Sequence, residues 1–243
     1  VKEARKINRD IRAGRISPPD TGRRPVASDE EPRAIDYETV PEMDGEPGEM
    51  TVIVSGLPRS GTSMMMQMLA AGGIEALTDA KRKADEDNPK GYFEYEPVKT
   101  LRRDAAWLPE AKGKCVKVVA PLLSSLPFGE AKEGYRIVYM IRDIDEVMRS
   151  QSHMLRHHGR AGAHDEDAER VARMYRRQLR ATTQLLAAAG VPVVYVQYAD
   201  CVKEPAQQAA RVNRFLGGSL NQAAMAAAVD PSLHRKRVSG CNL

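Results

Sequence analysis

The stretch from Thr51 to Gly73, TVIVSGLPRSGTSMMMQMLAAGG, constrains the fold of this chain more than any other part of it. It begins with β-favouring residues, continues through a loop that contains Gly56 and Gly61, and ends in an apolar run with helical spacing. This order predicts a strand, a tight glycine loop and the start of a helix. Such a turn directs backbone N–H groups and the positive end of the helix dipole at one point, which suits a phosphate or sulfate group.

The glycine spacing is that of a P-loop, G-x-x-x-x-G, but Thr62 stands where a nucleotide triphosphatase has its lysine. The loop carries its cation three residues earlier, at Arg59. The missing lysine makes a P-loop kinase or nucleotide hydrolase a less favoured hypothesis, which we keep as an alternative. A non-catalytic partner-binding protein on the same fold is a second alternative.

Two segments resemble sulfotransferases that use 3′-phosphoadenosine 5′-phosphosulfate (PAPS). PRSGTS after a strand resembles the 5′-phosphosulfate loop of that family, and YRIVYMIRDIDEVMRS resembles its 3′-phosphate motif. In the second motif a strand ends in Arg-Asp and a serine follows on the next helix; the matching residues are Arg142 and Ser150. NPKGYFE and YADCVKEPAQQAARVNRFLG resemble the family more diffusely, with Ala199 where an acidic residue is common. The resemblance covers roughly Met50 to Gly217.

The resemblance implies transfer of the sulfuryl group of PAPS to a hydroxyl or amine, leaving 3′,5′-diphosphoadenosine. Positioning and electrostatics would supply most of the catalysis, as in phosphoryl transfer, and the scheme requires no metal. Arg59 would bridge the sulfuryl and 5′-phosphate oxygens. The implied cofactor-binding residues are Arg59, Ser60, Gly61, Thr62, Ser63, Arg142, Ser150 and, in the basic C-terminal segment HRKR, Arg235.

A general base must take the proton of the acceptor. Glu94 of GYFE is the first candidate, because the family-like segment places a carboxylate after the cofactor loop. Glu96 is the second candidate. His153, His157 and His158 are weaker ones.

The rest of the chain alternates strand and helix patterns. Val116–Ala120, Ile137–Ile141 and Pro192–Gln197 read as largely apolar strands, and a long helix is predicted from about His164 to Ala189. The apolar spacing from Val98 to Leu108 predicts a further helix. We therefore expect an α/β protein with a three-layer P-loop-like fold, its central, mostly parallel sheet covered by helices on both faces.

Residues 1–49 have the composition of a charged, proline-containing arm and linker, basic at first and then acidic, and 50–243 are predicted to form the sulfotransferase-like domain. A solvated tail is the first interpretation of this arm, and contact with a partner or a second subunit is the alternative. The acceptor pocket would come from variable loops, so the acceptor is left as a small molecule, a glycan or a lipid. A net charge of +4 fits an anionic cofactor, and few aromatic residues offer stacking for nucleic acid.

Three scattered cysteines without a C-x-x-C spacing indicate a reduced, cytoplasmic protein. No apolar run approaches the ~20 residues of a membrane helix. We therefore expect no transmembrane segment.

Overall fold

The computed structural model describes residues 36, 38–41, 49–79, 91–131, 134–157 and 165–230, without the side chains of 130–131, 151–157 and 165–168. Within these ranges four strands form one parallel sheet in the order β2-β1-β3-β4. The strands are β1 Thr51–Gly56, β2 Cys115–Lys117, β3 Tyr135–Ile141 and β4 Val193–Gln197. The parallel sheet predicted from the apolar runs is thus confirmed, but the strand expected at Val116–Ala120 ends at Lys117, and Ala120 begins a 3-10 helix.

Helices follow the strands along the chain. They are α1 Thr62–Ala71, α2 Ile144–His157, α3 Asp165–Ala189, α4 Tyr198–Lys203, α5 Pro205–Phe215 and α6 Gln222–Ala227. Short 3-10 helices span Glu96–Thr100, Leu108–Ala111 and Ala120–Ser125, and a helical turn spans Phe128–Ala131. The long helix expected from about His164 is described from Asp165 and ends at the predicted Ala189.

The sheet is apolar on both faces because helical elements cover both. Alternate β1 residues point to opposite sides, so Val52 and Val54 join one buried cluster and Ile53 joins the other. The first cluster includes Met65 of α1 and residues of α4, α5 and α6. The second includes Leu186 of α3 and residues of the 3-10 helices. This three-layer arrangement confirms the predicted fold class.

The pairing of β1 with β3 decides where the predicted site residues meet. The two strands are parallel, with Gly56 in register with Met140 near their carboxyl ends. The chain after each strand therefore emerges at the same edge of the sheet. The glycine loop follows β1 there, and Arg142 follows β3.

One predicted helix is wrong. The segment from Val98 to Leu108 forms the end of one 3-10 helix, a turn and the start of another. Asp104 Oδ1 accepts a hydrogen bond of 2.9 Å from the Ala106 N–H, an Asx turn that competes with helical pairing. Pro109 also has no N–H with which to continue an α-helix from the preceding turn, and it lies instead in the first turn of the 3-10 helix that begins at Leu108.

The proposed division at residues 49 and 50 stays a prediction. Residues 1–35 and 231–243, which include the basic N-terminal segment and Arg235, lie outside the described residues. Among the helices that the structure describes, none is long and apolar enough to cross a membrane.

Two buried cysteines give a test of the packing. Burial raises the pKa of Cys115 and of Cys201 to about 12 in each case, so both thiols are protonated and shielded at neutral pH. In a Cys241→Ser background we expect neither thiol to react with Ellman's reagent within minutes at pH 8. Both should react after unfolding in guanidinium chloride. Fast reaction of either thiol in the folded protein would contradict this packing.

Candidate active site

The loop after β1 has a backbone that side chains at two positions would disrupt. Gly56 and Gly61 have φ angles of 151° and 98°. A Cβ on Gly56 would lie 2.6 Å from the Met140 carbonyl oxygen, and one on Gly61 would lie 2.5 Å from Cδ2 of Tyr198. Both positions therefore require glycine. Arg59, between them, also has a left-handed φ of 68°, a strained conformation of the kind found at functional sites.

The start of α1 fits an anion. Gly61 is its N-cap residue, no side chain caps the helix, and its first turn contains no acidic residue. The first N–H groups of a helix have no partner within the helix. In addition, the hydroxyl of Ser60 is buried and has no hydrogen-bond partner among the described residues. The sequence-predicted residues Ser60, Gly61, Thr62 and Ser63 thus lie together where backbone donors and the helix dipole favour negative charge.

The structure brings three of the predicted cofactor residues into direct contact. Arg59 Nε donates a hydrogen bond of 3.0 Å to Ser150 Oγ. Arg142 Nη1 donates one of 3.2 Å to the Arg59 carbonyl oxygen. The spacing that suggested Arg142 and Ser150 therefore places both beside the glycine loop, as expected for residues at the end of β3 and on the second turn of α2.

Arg142 has two partners that the sequence did not reveal. Its Nε donates to Glu146 Oε2 at 2.9 Å, and the two side chains are 9% and 10% exposed. Its guanidinium carbon also lies 4.2 Å from the ring centroid of Tyr198. Burial raises the pKa of Tyr198, although the nearby Arg142 guanidinium lowers it. Arg142 is thus held by a carboxylate, a carbonyl and an aromatic face.

Lys117 brings a further cation to the loop. Its Nζ lies 3.3 Å from Ser63 Oγ and donates to the Tyr92 carbonyl oxygen. The Ser63 hydroxyl donates to the same carbonyl at 3.3 Å. Lys117 is the last residue of β2, which pairs with β1. Its side chain therefore lies close to the start of α1, which follows β1. The segment that contains Tyr92 is thereby tied to the glycine loop.

The two carboxylates proposed as general bases differ in their surroundings. Glu94 Oε2 lies 3.8 Å from Lys99 Nζ, and the Glu94 side chain is 24% exposed. Glu96 pairs with the same lysine at 2.9 Å and is 48% exposed. Phe93, just before Glu94, has a left-handed φ of 51°. The catalytic role of either glutamate stays a prediction.

Other predicted residues lie outside the description. These are Arg235, His158 and the side chains of His153 and His157.

The residues that sequence reasoning missed left only weak signals. Lys117 is a single cation in an apolar strand. Because burying an unpaired ammonium is costly, its presence there indicates a partner or a ligand. Glu146 stands three residues after Asp143, the spacing of a capping box at the start of α2. Tyr198 was noticed only as part of a diffuse resemblance, and its stacking on Arg142 depends on tertiary structure.

Comparison with known proteins identifies the family of this chain. The family model for the sulfotransferase domain matches residues 49–236. The chain therefore belongs to the sulfotransferase domain family, and this membership supports sulfotransferase activity in general. Among solved structures, the sulfotransferase domain of the olefin synthase from Synechococcus PCC 7002 is similar, with 14% identity and a TM-score of 0.47 over 84% of this chain and 94% of that one. No curated protein sequence matched the chain.

The close approach of Gly61 to Tyr198 can be tested by substitution. Gly61→Ala places an alanine at a positive φ angle and also brings its Cβ to 2.5 Å from Tyr198. Gly73→Ala is the matched control: its φ angle of 109° is also positive, but no atom lies within 4 Å of the added Cβ. We expect Gly73→Ala to lower the free energy of unfolding by ~1–2 kcal/mol and Gly61→Ala to lower it by at least ~1 kcal/mol more. Urea unfolding measures both; equal losses would show that the contact is not felt.

Proposed function

We propose that this protein transfers the sulfuryl group of PAPS to a hydroxyl or amine of an acceptor, releasing 3′,5′-diphosphoadenosine. The observation that carries the proposal is the contact of Arg59 with both Arg142 and Ser150 beside an uncapped helix start. These contacts join the start of α1, where backbone donors favour an anion, to the end of β3, where the Arg142 guanidinium favours one. PAPS carries a phosphosulfate and a separate 3′-phosphate, so it suits such a site. When bound it would supply the sulfuryl group.

The glycine loop would hold the 5′ end of the nucleotide. The N–H groups of Ser60 to Ser63, with the hydroxyls of Thr62 and Ser63, are the donors proposed for the 5′-phosphate. Arg59 would bridge sulfuryl and phosphate oxygens, and its positive charge would stabilise the charge that develops on the leaving group. Lys117, beside Ser63, adds positive charge at the same end.

Arg142 and Ser150 would hold the 3′-phosphate. A guanidinium presents several donors in a fixed plane, which matches phosphate oxygens better than an ammonium does. Ser150 accepts from Arg59 through its oxygen, and its hydroxyl hydrogen is free to rotate toward an acceptor.

Glu94 is the proposed general base. Lys117 and Ser63 both contact the Tyr92 carbonyl, so the chain two residues before Glu94 is fixed at the start of α1. The Glu94 backbone is held as well, because Thr78 Oγ1 donates to its carbonyl oxygen at 2.9 Å. A carboxylate on a fixed segment beside the loop suits proton removal from an acceptor. By accepting a hydrogen bond from the acceptor, Glu94 would also orient it toward the sulfuryl group.

Ligand binding tests the donor before any acceptor is known. We expect 3′,5′-diphosphoadenosine, at ~100 times its dissociation constant, to raise the melting temperature by roughly 5–10 °C, with or without EDTA. Magnesium with ATP should give a much smaller shift at the same concentration. A larger, magnesium-dependent shift with ATP would favour a kinase or hydrolase and overturn the proposal. Binding of 3′,5′-diphosphoadenosine without transfer to a broad acceptor panel would instead favour a non-catalytic protein.

The base is tested by Glu94→Gln, and Glu96→Gln tests the second candidate on the same segment. With ³⁵S-labelled PAPS and an acceptor selected from a panel of phenols, alcohols and amines, Glu94→Gln should lower turnover at least ~100-fold, the scale of a lost general base. Its affinity for 3′,5′-diphosphoadenosine should change little. Glu96→Gln should keep near-normal turnover. If Glu94→Gln also turns over normally, Glu94 is not the base.

A further inference from the structure

We infer that Glu146 is a positioning residue for 3′-phosphate recognition: it holds Arg142 by Nε and so directs the outer nitrogens of the guanidinium toward the phosphate. This inference rests on the proposed function and extends it. A buried carboxylate beside an anion site needs such an explanation, since its own charge repels an anion. Glu146 is buried, and its Oε2 lies 2.9 Å from Arg142 Nε.

The backbone places Glu146 for this role. Asp143 Oδ1 accepts hydrogen bonds from the N–H groups of Asp145 and Glu146, at 2.9 and 3.1 Å, and so caps the start of α2. Glu146 lies in this first turn, four residues after Arg142 in the chain, and its Oε2 lies 2.9 Å from Arg142 Nε. The capped first turn therefore fixes the carboxylate against the strand end.

The contacts of Arg142 leave one edge of its guanidinium for a ligand. Nε donates to Glu146, one hydrogen of Nη1 donates to the Arg59 carbonyl oxygen, and the ring of Tyr198 lies at 4.2 Å from the guanidinium carbon. Nη2 and the second hydrogen of Nη1 have no hydrogen-bond partner among the described residues. A phosphate needs such a pair of donors for a bidentate contact.

A competing reading is that Glu146 mainly weakens phosphate binding by repulsion. The two readings differ for conservative changes. Gln keeps the length of the side chain and an oxygen that accepts from Nε, but removes the charge. Asp keeps the charge, but is one methylene shorter and cannot hold the 2.9 Å contact without movement of the helix. Positioning thus predicts tolerance of Gln and sensitivity to Asp, and repulsion predicts the reverse.

Calorimetric titration with 3′,5′-diphosphoadenosine and with 5′-adenylate measures the contribution of the 3′-phosphate as a ratio of affinities. We expect Glu146→Ala to weaken the diphosphate at least ~10-fold and 5′-adenylate less than ~3-fold, because the charge-assisted hydrogen bond that orients Arg142 is lost. Glu146→Gln should retain the wild-type ratio within ~3-fold. Glu146→Asp should lower the ratio ~3–10-fold. Because this variant keeps a negative charge near Arg142, it provides the test if Glu146→Ala does not fold.

The control is Asp145→Ala, which removes an exposed carboxylate from the same helical turn, 66% exposed and 3.9 Å from Arg176. It should leave the ratio unchanged. Equal loss of both nucleotides in Glu146→Ala, or tighter diphosphate binding in Glu146→Gln with an unchanged Glu146→Asp, would overturn the inference. A wild-type protein without preference for the diphosphate would instead contradict the proposed function itself.

Discussion

The parallel pairing of β1 with β3 is the constraint on which the rest of the site depends. Gly56 stands opposite Met140, so the loop after β1 and the residues after β3 leave the sheet side by side. An antiparallel β3 of the same seven residues would end ~20 Å away, at the opposite edge. The hydrogen bonds from Arg142 to the Arg59 carbonyl and from Arg59 to Ser150 are possible only because the two ends meet.

The same edge gathers positive charge, and the protein's own groups hold each cation there. Arg59 is held by Ser150, Arg142 by Glu146, and Lys117 by the Tyr92 carbonyl. Such contacts offset part of the cost of removing charges from water and keep the side chains oriented for a ligand. The donors at the start of α1 need no rearrangement either, because the glycine backbone already directs them. Such preorganisation is what the proposed transfer of a charged group would require from the protein.

Much of this arrangement could be predicted from the sequence, because the informative signals are local. Strand, glycine loop and helix follow one another within the stretch from Thr51 to Gly73, and Arg142 and Ser150 are linked by a short spacing. Lys117, Glu146 and Tyr198 were missed because their partners are distant or because their role depends on burial. The incorrect prediction of a helix near Leu108 has a local cause. The Asx turn at Asp104 and the missing N–H of Pro109 prevent the α-helix that the apolar spacing indicates.

The most direct test of the account is the division of labour between the two arginines. Affinities for 3′,5′-diphosphoadenosine and 5′-adenylate would be measured for the wild type, Arg142→Gln and Arg59→Ala. We expect Arg142→Gln to weaken only the diphosphate, by ~10-fold or more, and Arg59→Ala to weaken both nucleotides. Equal losses for the two nucleotides in Arg142→Gln would contradict the claim that the edge of the sheet holds two separate phosphates.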